Sequence, residues 1–175
     1  MVLVTGGANG IGLAIARRFS SQGAIVALAD VSAGGEKAAA SIVDAGGSAT
    51  FHKCDVSDEA QVERTVAEVA AHHGRIDVLV NCAGITFEGT VESTTAQDWD
   101  RVQGVNLRGS FLFMRHAVPF LRERRGASVV NISSFHAGTT ERANSAYAAS
   151  KAGVVSLTKG TARDLGHEGG RVSVS

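Results

Sequence analysis

The chain has 175 residues, of which 44% are hydrophobic and 19% are charged, values typical of one globular domain with a single core. Its 17 basic and 17 acidic residues cancel, and no basic stripe indicates binding to nucleic acid or to an anionic membrane. No apolar run approaches the roughly 20 residues that a membrane span needs. The first residues lack the charged start of a signal peptide, so we expect a cytoplasmic protein.

Short apolar runs alternate with longer amphipathic ones along the whole chain. The predicted strands, in chain order, are Val2–Thr5, Ala24–Ala29, Ala49–Lys53, Ile76–Val80, Ser128–Ile132 and Arg171–Ser175. The predicted helices follow the first strand (with Ile11, Ala14, Ile15 and Phe19 on one face) and then cover Ala33–Ala45, Glu59–His72, Ala96–Arg124 in one or two pieces, and Ser145–Leu165. Pro119 should kink or break the fourth of these helices.

The runs rich in Val and Ile suit strands that are buried on both faces, and strand–helix alternation indicates a parallel sheet covered by helices. We therefore expect an α/β fold with a doubly wound, Rossmann-like sheet in the order 3-2-1-4-5-6, formed by one domain over residues 1–175.

A glycine-rich loop separates the first strand from the first helix. Gly6, Gly10 and Gly12 have the spacing GxxxGxG, with Asn9 and Ile11 between them. Glycine lets the backbone approach a pyrophosphate closely, and the following helix N-terminus offers free N–H groups. The loop therefore predicts phosphate binding, and the alternative is a simple tight turn.

Asp30 closes the second strand, where an acidic residue can accept hydrogen bonds from the adenosine ribose. Its charge would repel the extra phosphate of NADP, and no Lys or Arg lies within the glycine loop to receive that phosphate. Arg17 and Arg18 lie too far into the helix. The sequence thus favours NAD, although Asp30 would also serve as a helix N-cap, as would Ser32.

The other strand ends also carry distinctive residues, and in a parallel sheet they lie at one edge. The third strand is followed by Asp55 and Val56, placed to meet an adenine ring, and Asp55 is equally suited to a capping role. The fourth strand is followed by Asn81-Cys82-Ala83-Gly84. We include Asn81, Ala83 and Gly84 among the cofactor-binding candidates, although Asn81 and Gly84 also fit a tight strand exit.

Tyr147, the only tyrosine, and Lys151 stand four positions apart on one face of a predicted helix. A neighbouring ammonium favours the phenolate form of a tyrosine, so Tyr147 is a candidate for exchanging a proton with an alcohol or ketone. The alternative is a surface tyrosine stacked along a lysine stem. Ser134, at the end of the fifth strand, is a candidate for holding the substrate oxygen, with Ser133 as its competitor.

Asn106 is polar within an apolar helical stretch, which indicates either a helix bend or an anchor for a water chain to Lys151. His136 would line the substrate pocket or lie in an exposed loop. Glu141 and Arg142 would contact a polar substrate or be solvated.

No metal site is expected, because the six histidines show no ligand spacing with cysteines or carboxylates. They are His52, His72, His73, His116, His136 and His167. Cys54 and Cys82 are interpreted as reduced thiols, since two cysteines make no disulfide framework.

Taken together, these motifs resemble the short-chain dehydrogenase/reductase family across nearly the whole chain. The matching pieces are Thr5 to Gly12, Asn81 to Gly84, Asn106, Ser134 and Tyr147-Ala148-Ala149-Ser150-Lys151. The resemblance implies that Tyr147 is the general acid/base and that Lys151 holds the nicotinamide ribose. It also implies that Ser134 orients the substrate, that Asn106 completes a proton relay, and that the protein forms homodimers or homotetramers through its long helices.

Members of this family usually continue beyond the sixth strand with a substrate loop and a seventh strand, which this chain lacks. We therefore expect a C-terminally truncated member that uses NAD and a small-molecule alcohol or ketone. The alternative is an inactive NAD-binding protein that serves as a binding or oligomerisation module.

Overall fold

The computed structural model describes residues 1–166 and 170–175, where six strands alternate with six α-helices. The strands are β1 (Val2–Thr5), β2 (Ile25–Asp30), β3 (Ser48–Lys53), β4 (Val78–Asn81), β5 (Ser128–Asn131) and β6 (Arg171–Val174). The helices are α1 (Gly10–Ser20), α2 (Gly35–Asp44), α3 (Glu59–His73), α4 (Ala96–Gln103), α5 (Gly109–Arg122) and α6 (Ser145–Gly166). For every element with two predicted ends, the predicted bounds agree with these to within two residues. No helix in the described part of the chain is both long and apolar enough to cross a membrane.

The strands form one parallel sheet in the order β3-β2-β1-β4-β5-β6. This confirms the predicted doubly wound, Rossmann-like architecture. Strand β1 pairs with β2 on one side and with β4 on the other, so the chain reverses its winding direction there. In such sheets a crevice opens beyond the carboxyl ends of the strands at the reversal point.

Apolar side chains cover both faces of the sheet, because successive residues of a strand point to opposite sides. Leu3 of β1 packs in the same buried cluster as Val66 of α3 and Phe113 of α5. Its neighbour Val4 belongs to the other cluster, with Ile42 of α2. Burial on both faces fixes the end of β1 and therefore the start of the glycine loop.

The long helix predicted from Ala96 to Arg124 is divided into α4 and α5 by a π-helical turn at Gly104–Arg108. Asn106 lies in this turn, and π-turns often mark functional sites. Pro119 does not break α5, which continues to Arg122, so the predicted break is wrong. Buried residues on both sides of the proline, including Leu121, hold the last turn in place by packing.

Candidate active site

A crevice of about 550 Å³ opens beyond the carboxyl ends of β1, β2, β4 and β5. This volume is typical of a small-molecule site. Among its lining residues are most of the candidates from the sequence: Gly6, Asn9, Ile11, Gly12, Asp30, Asp55, Val56, Ala83, Gly84, Tyr147 and Lys151. The sheet order places Asp30, at the end of β2, on one side of β1 and the Tyr147–Lys151 helix, beside β5, on the other.

Close backbone contacts shape the glycine loop. A Cβ atom at Gly12 would lie 2.1 Å from the carbonyl oxygen of Gly6, so no other residue fits there without displacement. Gly6 and Gly10 have φ angles of 66° and 51°, which glycine adopts readily. Gly10 does not line the crevice, and its role here is to make the turn possible.

The N-terminus of α1 is open to an anion. Its N-cap residue, Asn9, makes no side-chain capping hydrogen bond, and the first turn contains no acidic residue. The first N–H groups of a helix have no partner within the helix and carry its positive dipole end. This arrangement fits a dinucleotide pyrophosphate.

Asp30 connects the glycine loop to the end of β2. Its carboxylate accepts hydrogen bonds from the backbone N–H of Ala8 at 3.0 Å and of Ser32 at 2.9 Å. It is 8% exposed and lines the crevice. Its alternative interpretation as a helix cap is not what the structure shows, since the N-cap of α2 is Gly34.

The end of β3 supplies a local turn as well as a wall of the crevice. Asp55 Oδ1 accepts hydrogen bonds from the backbone N–H of Ser57 at 2.9 Å and from its hydroxyl at 2.7 Å. The N-cap of α3 is Asp58, not Asp55. Asp55 and the buried Val56 both line the crevice.

The ends of β1 and β4 are held together by one side chain. Thr5 Oγ1 accepts hydrogen bonds from the backbone N–H groups of Cys82 at 3.0 Å and Ala83 at 3.1 Å. The side chain of Asn81 instead faces the interior, where it donates to Asn131 at 2.8 Å, and it does not line the crevice. This orientation corresponds to the structural role in the strand exit that was the alternative for Asn81.

Lys151 and Tyr147 are brought together on α6. Lys151 is 5% exposed, and its Nζ donates to the carbonyl of Ile132 at 2.9 Å. Nζ lies 5.7 Å from the centre of the Tyr147 ring. Burial lowers the pKa of Lys151 below its usual value, and Cys82 opposes this shift. Both residues lie on the wall of the crevice.

Asn106 is anchored to the segment that follows Gly84. Its Oδ1 accepts from the backbone N–H of Ile85 at 2.8 Å, and its Nδ2 donates to the carbonyl of Ile85 at 3.0 Å and to Ser150 Oγ at 2.9 Å. A Cβ atom at Gly84 would be 3.4 Å from both Asn106 Oδ1 and Lys151 Nζ. The missing side chain leaves space between these two groups, and the water chain joining them stays a prediction.

A second cavity of about 550 Å³, which we call the side pocket, shares Tyr147 and Thr86 with the crevice. Its lining residues are Thr86, Glu88, Ser134, Phe135, His136, Glu141, Arg142, Ala143, Asn144 and Tyr147. His136, Glu141 and Arg142 thus line a cavity, and Glu141 and Arg142 are also exposed to solvent. Contact of these residues with a substrate stays a prediction.

The structure separates the two serines that follow β5. Ser133 donates its hydroxyl to the carbonyl of Lys151 at 3.0 Å, which ties α6 to the sheet. Ser134 lines the side pocket, and its Oγ accepts from the backbone N–H of His136 at 3.3 Å. Its hydroxyl proton is therefore free to bond a substrate oxygen, and this geometry favours Ser134 over Ser133.

Several lining residues were not singled out from the sequence, among them Val31, Ser57 and Arg101. Val31 and Ser57 come directly after Asp30 and Val56, so their proximity to the strand ends could have indicated them. Arg101 lies on α4, and no local signal connects it with the crevice.

Within residues 1–166 and 170–175, no group of three or more His, Cys, Asp or Glu side chains is placed to hold a metal ion. His167, one of the six histidines considered, lies outside the described residues.

The chain belongs to the short chain dehydrogenase family, whose model matches residues 1–175. It is 40% identical to D-threitol dehydrogenase of Mycolicibacterium smegmatis over 99% of this chain and 67% of that protein. It is 41% identical to meso-2,3-butanediol dehydrogenase of Serratia marcescens over 99% of this chain and 68% of that protein. The chain thus spans about two thirds of the length of these relatives.

The solved structures agree with this assignment. A dehydrogenase/reductase from Sinorhizobium meliloti has a TM-score of 0.95 at 39% identity, covering 99% of this chain and 69% of that one. A metagenomic short-chain oxidoreductase in complex with NADP has a TM-score of 0.95 at 36% identity, covering 99% and 80%. The family resemblance is therefore confirmed, and the chain belongs to a family of oxidoreductases that bind a nicotinamide cofactor.

Proposed function

We propose that residues 1–175 form the NAD-binding and catalytic domain of an oxidoreductase that moves a hydride between an alcohol/ketone pair and NAD(H). The observation that carries this proposal is the position of Lys151, which is buried, bonded to the Ile132 carbonyl and 5.7 Å from the Tyr147 ring. A protein that only binds a dinucleotide has no need for a buried ammonium beside a lone phenol.

The described residues fit a dinucleotide. The N–H groups at the start of α1 and the glycine loop would hold the pyrophosphate, and Asp30 would accept hydrogen bonds from the adenosine ribose. Lys151 would hold the nicotinamide ribose, as the family resemblance implies. When bound, the cofactor accepts or supplies the hydride.

The chain's own residues then handle the proton. In oxidation Tyr147 takes the proton of the substrate hydroxyl, and in reduction it returns a proton to the carbonyl oxygen. Lys151 stabilises the phenolate form through its charge. Ser134 donates a hydrogen bond to the same substrate oxygen and thereby orients it. The gap at Gly84 would hold water that links Lys151 with Asn106.

NAD is proposed over NADP because of the groups around Asp30. The carboxylate lies at the adenosine end of the crevice, where it would repel a ribose phosphate. Among the described residues that line the crevice, only Arg101 and Lys151 are basic, and Lys151 is engaged beside Tyr147. Arg17 donates to Ser41 on α2 and does not line the crevice.

Self-association through the long helices is also part of the proposal. A groove between α5 and α6 is lined by Leu107, Phe111 and Leu157, and Phe111 is 43% exposed. A second copy would bury this apolar surface and give the homodimer or homotetramer that the resemblance implies. The free thiols of Cys54 and Cys82 agree with a reducing, cytoplasmic location.

The test replaces Tyr147 by Phe, which keeps the ring and removes the acid/base. We expect NADH to bind within about twofold of the wild type, measured by fluorescence titration, while kcat falls by about a thousandfold. Ser21→Ala, which deletes a surface hydroxyl at the end of α1, is the matched control and should change neither quantity. A Tyr147→Phe variant that keeps most of its turnover would show that the proposed mechanism is wrong.

A further inference from the structure

Arg101 is a charged residue of the crevice for which the proposed chemistry has no role. It lies in the last turn of α4, its side chain is exposed, and it lines the crevice. In the part of the chain that the structure describes, its guanidinium makes no hydrogen bond and no ion pair. The other charged lining side chains, Asp30, Asp55 and Lys151, all have hydrogen-bond partners. The five N–H donors of Arg101 are therefore available to a ligand.

Stabilisation of the end of α4 does not explain this arginine. A basic residue in the last turn of a helix ordinarily interacts with the free carbonyl groups of that turn. Here α4 continues directly into the π-helical turn, and the backbone N–H of Gly104 bonds the carbonyls of Asp100 and Arg101. These carbonyls are not free, so a guanidinium at this position gains little from the helix dipole.

The helix that carries Arg101 forms a wall of the crevice. Val105, four positions further along, lines the crevice as well. Arg108 donates to the carbonyl of Ser57, another lining residue, at 2.6 Å and so fixes the helix against the end of β3. Val105 is half-buried and Arg101 is exposed, which places Arg101 nearer the solvent edge of the same wall.

Arg101 and the open N-terminus of α1 border the crevice from opposite faces of the sheet. Helix α1 packs on one face, where Ala16 belongs to the buried cluster. Val105 packs on the other face, against the cluster that contains Phe113 of α5. A diphosphate held by the first N–H groups of α1 would therefore have the wall of Arg101 on its other side.

The balance of charge in the crevice also favours a further cation at this place. Without Arg101 the formal charge of the lining side chains is negative, because Asp30 and Asp55 outweigh Lys151. The phosphates that link the two nucleosides of a dinucleotide are themselves anionic, and the dipole of α1 offsets only part of that charge. A guanidinium is the side chain best suited to such a group, since its planar donors bond two phosphate oxygens at once.

We propose that Arg101 reaches across the crevice and pairs with the phosphates that join the two nucleosides of the cofactor, opposite the N-terminus of α1. This inference rests on the proposed function and adds a binding residue to it, which contributes to cofactor affinity and takes no part in proton transfer. The extra phosphate of NADP is not the partner. It would lie at Asp30, at the end of β2, which is two strands away from the β4 strand that leads into α4.

The experiment compares ligands that differ in their phosphates. Adenosine and ADP are titrated against the protein with bound NADH, and displacement is followed by NADH fluorescence. Arg101→Gln should raise the Kd of NADH and of ADP about fivefold and leave that of adenosine within about 1.5-fold. Arg101→Lys, which keeps the charge, should bring the Kd of ADP back to within about twofold of the wild type. Arg18→Gln, at an exposed position of α1 outside the crevice, is the matched control and should change none of these values.

Salt provides a second measurement that a purely structural role would not affect. Because the proposed contact is ionic and lies near solvent, added NaCl should weaken ADP binding more in the wild type than in Arg101→Gln. An equal salt dependence in the two proteins would contradict the inference.

The remaining outcomes separate this inference from the proposed function. Equal weakening of adenosine and ADP would show that Arg101 only supports the wall, and weakening confined to NADPH would place it at the ribose phosphate. Unchanged Kd values with a raised KM for the alcohol would place it at the substrate. Each result overturns the inference alone. If the wild type binds ADP and NADH but turns over no alcohol or ketone, the proposed function fails and the Kd values still decide the inference. A wild type that binds neither ligand overturns both.

Discussion

The crevice and the side pocket meet at Tyr147, but they are built in different ways. The crevice is formed by close backbone contacts and by polar side chains that are almost completely buried, such as Asp30 and Lys151. The side pocket is formed by two loops whose charged residues, Glu141 and Arg142, are exposed. The crevice therefore tolerates little change, while the side pocket can vary its chemistry without loss of the fold. This difference suits a family that shares a cofactor and differs in substrate.

The largest effect on cofactor binding should come from the tightest contact in the crevice. Gly12→Ala places a Cβ atom 2.1 Å from the Gly6 carbonyl oxygen, so the glycine loop must shift. We expect the Kd for NADH to rise about a hundredfold, measured by fluorescence titration. Gly160→Ala on α6, where a Cβ atom meets nothing within 4 Å, is the control and should bind normally. Wild-type affinity in Gly12→Ala would contradict the importance of this contact.

A smaller effect should follow from the removal of one charge in the crevice. Asp30→Asn keeps the size of the side chain but weakens its acceptance of ribose hydroxyls and removes its repulsion of a phosphate. The ratio of the Kd for NADPH to that for NADH should exceed one in the wild type and fall about tenfold in the variant. Asp44→Asn, at the exposed end of α2, is the matched control. A wild type that prefers NADPH would show that the NAD assignment is wrong.

The smallest effect should come from a substitution in the side pocket, and it concerns the free energy of unfolding. Ala143→Gly relieves a left-handed conformation, and this gain is largely offset by the greater chain entropy of glycine. We expect the free energy of unfolding in urea to rise by about 0.5 kcal/mol, with alcohol turnover within about twofold. Ala152→Gly, at an exposed position of α6, should instead lower the free energy of unfolding by about 0.5–1 kcal/mol. Equal destabilisation by both changes would argue against strain at Ala143.

The sheet and the cofactor crevice could be predicted from the sequence because they depend on patterns between residues that are close along the chain. Apolar runs define the strands, and the glycine spacing lies directly between β1 and α1. The i, i+4 spacing of Tyr147 and Lys151 places them on one face of a helix wherever that helix packs. Burial of Lys151, by contrast, depends on how α6 lies against the end of β5.

Other features depend on tertiary contacts that local patterns do not contain. Ser133 and Ser134 are chemically identical neighbours, and only the packing of α6 decides which one bonds the Lys151 carbonyl. Asn81 faces the core because the parallel register sets it opposite Asn131. Arg101 lies at the crevice because of where α4 packs, and the sequence of α4 alone does not specify that position.

The burial of Lys151 also sets a conflict between stability and chemistry. Because burial lowers its pKa in the folded chain, the folded state binds that proton more weakly than the unfolded state does. The full penalty applies at pH values below the folded pKa and is progressively removed as pH rises from the folded pKa towards the unfolded value of about 10.5. Lys151→Met should therefore melt at a higher temperature than the wild type at neutral pH, and it should be a poor catalyst. This is expected where an active-site residue lowers the stability of the fold and is kept for its activity.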